Sequence, residues 1–168
     1  MKIKEVIKSQ YHAALEMLKQ TIDKCRAPLW DHPDHPGKFW HIAYHAIFYT
    51  HLYLNQKEED FTPWEKHREE YQFLGPLPWP PHDMPKIEKP YTKEEVLAYL
   101  EFCQGRVDSM VDALDLEAES GFYWLPFSKL ELQFYNIRHI QQHAGELADR
   151  LGISENIEID WVGMRKDK

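Results

Sequence analysis

FWHIAYHAIFYTHLYL, at residues 39–54, is apolar on every side when it is drawn as a helix, and it is too long for an ordinary strand. A helix without a polar face is buried on all sides, so this stretch predicts a helix inside the protein. His41, His45 and His51 interrupt it, and no run of 18 uncharged apolar residues exists, so we expect no membrane span. Buried imidazoles also need partners, because an unsatisfied polar group is costly to bury.

Three further stretches have the spacing of amphipathic helices. Apolar residues recur three and four positions apart in each of them, with charged residues between. Capping-box patterns at Thr92–Glu95 and Ser128–Glu131 predict where the last two begin, and Gly152 predicts where the last one ends. We therefore predict helices at about 3–25, 92–116 and 128–151, besides the central one.

The connection between the second and third predicted helices is long and rich in proline. Residues 55–90 contain seven Pro, so they cannot form one regular element, although Thr62 and Pro63 have the pattern of a short helix start. Such a segment is either a lid or rim over a site or a rigid loop that packs its aromatic side chains on the helices. We predict an all-α protein, a four-helix bundle with this one long connection, forming a single domain over residues 1–168.

Composition excludes several classes of protein. The chain has 168 residues, about one ordinary domain, and its formal net charge is −8. Without basic clusters it is a poor candidate for binding nucleic acid. Cys25 and Cys103 are too few for a disulfide framework, and the first residues contain no apolar signal segment, so we expect a cytoplasmic protein. Ten His and a high aromatic content, 14%, raise the expectation of a metal or ligand site.

Two pairs of histidines have the spacing that can hold a metal ion. His139 and His143 lie four residues apart on the last predicted helix, so they share one face. Apolar side chains on the same arc turn this pair toward the interior. His41 and His45 form a second such pair on the central helix, and facing helices of a bundle commonly build metal sites together. The alternative for each single histidine is a buried side chain bonded to backbone or to Tyr.

The chain resembles the DinB/YfiT-like superfamily of metal-binding four-helix bundles. The resemblance rests on the apolar second helix with its Tyr-His pair and on YNIRHIQQHAGE at residues 135–146, similar to that family's H-x-x-H-H-x-G-Q pattern. It extends over nearly the whole chain in helix order and loop length. The family's three metal ligands correspond to His45, His139 and His143, with His41 as the alternative on the second helix.

Two positions depart from the family's pattern without removing a ligand. Gln142 stands where many members have a further His, and Glu146 stands where Gln is usual. Glu146 falls near the histidine face and is our candidate catalytic residue, either as the acceptor that orients an imidazole or as a base. The alternative is a solvated glutamate.

The resemblance implies a metal-dependent enzyme acting on a small molecule. Members include thiol S-transferases, a mycothiol-dependent isomerase and domains of non-haem iron enzymes. Three neutral imidazoles leave the charge of a divalent ion uncompensated, so a thiol or water beside it would lose its proton more easily. We therefore expect a thiol S-transferase or a hydrolase that uses zinc or nickel, or else iron, with a low-molecular-weight thiol as one possible substrate and a homodimer as its assembly.

Two alternatives remain at this point. One is a non-catalytic bundle that binds a small ligand or a partner and holds a structural or adventitious metal, with Glu146, His67 or His82 closing the coordination. The other is a protein whose histidines are ordinary core residues and whose function lies elsewhere.

Overall fold

The computed structural model describes residues 2–165, and every regular element within them is a helix. Glu119 and Ser128 form an isolated β-bridge, and no strand occurs among the described residues. This confirms the all-α prediction. The α-helices are α1 (Ile3–Lys24), α2 (Ala27–Trp30), α3 (Phe39–Tyr53), α4 (Lys93–Gln104), α5 (Val107–Ala113) and α6 (Lys129–Glu155), and a 3-10 turn covers Glu58–Asp60.

Three local predictions are wrong, and each involves glycine or proline. The third predicted helix is two helices, α4 and α5, because the chain tightens at Gly105 and Arg106, where the Arg106 N–H bonds to the Cys103 carbonyl. The fourth does not end at Gly152 but continues to Asn156, which adopts the left-handed conformation that closes it. Thr62 starts no helix.

A fourth difference is a helix that the sequence did not predict. The four-residue α2 lies between the first two predicted helices, and Pro28 occupies its first turn. Proline ends a preceding helix but suits the first turn of the next one, since its missing N–H would be unbonded there in any case. Pro28 therefore has both effects, closing α1 and opening α2.

The long helices pack in a cyclic order. α1 packs against α6 and α4, and α3 packs against the same two helices from the other side. Every residue of α3 is buried except His45 and Tyr49, which confirms that this helix lies inside the protein. The four-helix bundle in particular and the single domain over residues 1–168 stay predictions.

Residues 54–92 connect α3 to α4 and contain no α-helix. Their aromatic side chains lie against α3: the Tyr71 ring is 6.0 Å from Trp40, and Tyr91 stacks on Tyr44 with ring centroids 4.6 Å apart. The Trp30 indole donates a hydrogen bond to the Tyr91 carbonyl. The segment is thereby held to the helices at several points along its length.

The end of the described chain returns to α1. Gln10 donates a hydrogen bond to the Gly163 carbonyl, and Val162 is buried in the core, whereas Trp161 is 76% exposed. Among residues 2–165, none of the helices combines the length and the apolar character needed to cross a bilayer.

Candidate metal centre

Three histidines from two helices come together at the contact of α3 with α6. His45 is one of the two α3 residues that are not buried, and it faces His139 and His143, one turn apart on α6. One ring nitrogen of each lies within 4.8 Å of the other two, so the three side chains are close enough to hold one metal ion. The spacing on α6 places two of these imidazoles, and the packing of α3 adds the third.

The distances between the ring nitrogens suit a shared ion. The Nε2 atom of His139 lies 3.0 Å from Nε2 of His45 and 3.2 Å from Nε2 of His143. Two imidazole nitrogens bound tetrahedrally at about 2.1 Å from a zinc ion are roughly 3.4 Å apart. The observed separations are therefore near those of a coordinated set.

Contacts on the far side of two rings determine which nitrogen carries the proton. The Nδ1 atom of His45 donates to the Gln72 carbonyl at 2.6 Å, and Nδ1 of His143 donates to the Glu146 carboxylate at 3.2 Å. When such a ring is neutral, its Nε2 atom presents a lone pair to the cluster, which is the form that binds metal. The Nδ1 atom of His139 is buried and has no hydrogen-bond partner among the described residues.

Burial keeps His45 and His139 uncharged at neutral pH. Burial and, to a smaller extent, the neighbouring imidazoles together lower the pKa of His45 to about 3 and that of His139 to about 4. At neutral pH each of these two rings is therefore neutral and carries a single ring proton. The 3.0 Å separation of the His45 and His139 Nε2 atoms fits either a proton carried by Nε2 of His139 or a cation held between the two nitrogens.

Glu146 lies behind His143, on the Nδ1 side of the ring. Its other carboxylate oxygen accepts a hydrogen bond from Arg150 at 2.7 Å, and Arg150 also donates to the Gly37 carbonyl. The carboxylate thus contacts both a guanidinium and an imidazole, and its side chain is 39% exposed. Its catalytic role stays a prediction.

The other candidate histidines lie outside the cluster. Nε2 of His41 is bonded to the Tyr71 carbonyl at 2.8 Å, so the α3 member of the group is His45. His67 is bonded to the Tyr44 hydroxyl and His82 to the Leu77 carbonyl.

Two residues at the site were missed by the sequence analysis. Arg150 follows Glu146 by four residues, and opposite charges at this spacing lie next to each other on a helix. The pair could therefore have been predicted from the sequence. Gln72 had no such signal, because it lies in the proline-rich connection and reaches His45 only through the folded path of that segment.

The chain was compared with models of known protein families, with curated proteins and with solved structures, and none of the three comparisons found a match. Its function is therefore inferred from the residues of the site.

Proposed function

We propose that this protein is a metal-dependent enzyme of the DinB-like superfamily, a thiol S-transferase or a hydrolase that acts on a small molecule. The observation that carries the proposal is the convergence of the Nε2 atoms of His45, His139 and His143, with Nδ1 of His45 and of His143 bonded on the outer side. This donor set suits a divalent ion, which we propose to be zinc or nickel, or else iron.

The number of ligands supports a catalytic role over a structural one. Structural zinc sites are closed by four protein ligands, whereas catalytic sites keep a position open. Among residues 2–165, the group of close ligand atoms has no fourth His, Cys, Asp or Glu. Glu146, His67 and His82, the residues that could have closed the coordination, are bonded elsewhere.

The chain's own residues would prepare the site for chemistry. A bound divalent ion would supply positive charge that lowers the pKa of a thiol or water beside it. Gln72 and Glu146 hold two of the imidazoles in the ligating tautomer. Arg150 fixes the carboxylate of Glu146, and His143 is buried, whereas His45 and His139 are partly exposed.

The arrangement of the helices supports the superfamily and its bundle. The cyclic order α1, α6, α3, α4 is the neighbour relation of a four-helix bundle, and ligand pairs on facing helices are how such bundles build metal sites. A cytoplasmic location, a low-molecular-weight thiol as one substrate and a homodimer belong to the same proposal.

The first experiment measures the metal content of tag-free protein by mass spectrometry. We expect about one divalent ion per chain in the wild type and almost none in the His139→Ala/His143→Ala double variant. The matched control is His51→Ala, because His51 is also a buried histidine of α3 but bonds to Tyr99 outside the cluster. No ion in the wild type after reconstitution, or equal content in the double variant, contradicts the proposal.

A second measurement separates catalysis from a structural ion. Exchangeable water on the bound ion, detected by relaxation of the water protons in protein loaded with a paramagnetic divalent metal, is expected for an open site. A closed coordination sphere would indicate the non-catalytic alternative. Thiol-transfer and hydrolase assays with the identified metal then decide between the two reactions.

A further inference from the structure

Three tyrosines continue the line of the histidine cluster along the contact between α3 and α6. On α3, Tyr49 and Tyr53 follow His45 at intervals of four residues, and on α6 Tyr135 precedes His139 by four. The Tyr49 ring is 4.8 Å from His45 and 5.8 Å from His139. Tyr53 lies 5.5 Å from Tyr49 and 6.0 Å from Tyr135. We call Tyr49, Tyr53 and Tyr135 the tyrosine wall.

Two members of the wall, Tyr49 and Tyr135, differ from the aromatic core in their exposure, whereas Tyr53 is buried. The other aromatic residues of α3, such as Trp40, Tyr44 and Phe48, are buried. Tyr49 and Tyr135 are only partly buried, like His45 and His139 beside them. The partly exposed members of the cluster and of the wall therefore lie next to each other.

The hydroxyl groups of Tyr49 and Tyr135 differ from those of the core tyrosines as well. Core tyrosines have partners: Tyr44 bonds to His67, and Tyr11 bonds to Gln133. The hydroxyls of Tyr49 and Tyr135 make no hydrogen bond to any side chain or carbonyl among residues 2–165. Two phenol groups that can donate and accept are therefore free for a ligand next to the three imidazoles.

The far end of the wall meets a loop with exposed aromatic side chains. The Tyr53 ring is 5.2 Å from Phe122, and its hydroxyl accepts a hydrogen bond from Trp124. Tyr123 is 89% exposed and Trp124 is 39% exposed. A chain of aromatic contacts thus leads from the histidine cluster through the buried Tyr53 and Phe122 to the exposed loop.

We infer that the tyrosine wall binds a flat aromatic or conjugated substrate whose oxygen-bearing end lies at the histidine cluster. Aromatic rings recognise flat π faces by stacking or edge contacts, and the free phenols recognise an oxygen atom of the ligand. The inference rests on the proposed function and adds a substrate class to it. It also places the binding surface on α3 and α6, with residues 121–124, in addition to the proline-rich segment.

The test compares two metal-binding probes on protein loaded with nickel or zinc. Acetohydroxamate carries a metal-binding group alone, and benzohydroxamate carries the same group on an aromatic ring. We expect calorimetry to give about tenfold tighter binding of benzohydroxamate to the wild type. Tyr49→Leu and Tyr135→Leu should each lower this ratio by about threefold or more, because only benzohydroxamate has a ring that contacts the wall.

Two further variants make the result specific. Tyr49→Phe keeps the aromatic ring, so the ratio of the two hydroxamate affinities should remain near the wild-type value. This variant also gives a result if Tyr49→Leu does not fold. Trp161→Leu removes an exposed aromatic residue outside the wall and should change neither affinity. Equal binding of the two hydroxamates, or an unchanged ratio in both leucine variants, overturns the inference alone. Failure of acetohydroxamate to bind, together with the absence of metal, overturns the proposed function as well.

Discussion

His143 and Glu146 are joined through the side of the imidazole that faces away from the cluster, with Nδ1 of His143 3.2 Å from a carboxylate oxygen. Such a carboxylate fixes the ring orientation and makes the opposite nitrogen a stronger ligand. Arg150 holds the carboxylate from the other side. The cluster is therefore supported by a chain of contacts along α6, beyond the three histidines themselves.

Glu146→Gln is expected to weaken metal binding about 10- to 100-fold, because the neutral amide polarises the imidazole less than a carboxylate does. Competition with a metallochromic chelator measures the affinity. Asp149→Asn is the matched control, since it removes the same charge from an exposed position of the same helix. If both variants bind metal equally well, Glu146 has no part in holding the site.

Acid should destabilise the metal-free protein below pH 6.5, the ordinary pKa of histidine. Burial lowers the pKa of His51 to about 4, as it lowers the pKa of His45 and His139. Between pH 6.5 and about pH 4 the unfolded chain binds protons that the folded chain does not, so stability falls as the pH falls. Each such group contributes a slope of up to about 1.4 kcal/mol per pH unit.

The variant His51→Gln isolates one of these contributions. Urea unfolding of the metal-free protein at several pH values in that interval should show a shallower loss of stability than in the wild type. His35→Gln serves as the control, since His35 lies in the loop before α3 and is not buried. Identical slopes for His51→Gln and the wild type would show that His51 is not buried in its neutral form.

Gly121→Ala should destabilise the fold by about 2 kcal/mol or more. The φ angle of Gly121 is +80°, and a Cβ atom there would overlap the Gln56 carbonyl oxygen and the Lys57 backbone. Gly75→Ala is the control, because a Cβ at Gly75 meets nothing within 4 Å. Thermal unfolding measures the difference, and equal melting temperatures for the two variants would be inconsistent with the close approach at Gly121.

Gly152→Ala should have the opposite effect. The residue lies inside the last turns of α6, a Cβ there meets nothing within 4 Å, and alanine favours the helix by up to about 1 kcal/mol. We expect a higher melting temperature by thermal unfolding. A decrease would indicate that α6 ends at Gly152 after all, as the sequence alone suggested.

A structural feature could be predicted from the sequence where its cause lies within a single helix. The apolar character of residues 39–54 predicted a buried helix, which the structure shows. The four-residue spacing of His139 and His143 predicted two neighbouring imidazoles on one helix face, which the structure also shows. Gly105 and Gly152 were ambiguous, because glycine is found both within helices and at their ends, and the outcome depended on neighbours such as Asn156.

Contacts made across the fold could not be predicted in the same way. Gln72 supports His45 across 27 residues of a segment without regular structure, and no periodicity indicates where such a segment returns. The partial exposure of Tyr49 in an otherwise buried helix was equally hidden, since its neighbours in sequence are as apolar as those of the buried residues.

The separation of His45 from His139 in the chain has a consequence for folding. The two residues are 94 positions apart, so an ion shared between them would act as a reversible cross-link that closes most of the chain into a loop. A ligand that binds only the folded state stabilises it by about 2.7 kcal/mol at a hundred times its dissociation constant. The supply of metal would then affect the free energy of unfolding of this protein and its resistance to proteolysis, in addition to any reaction at the site.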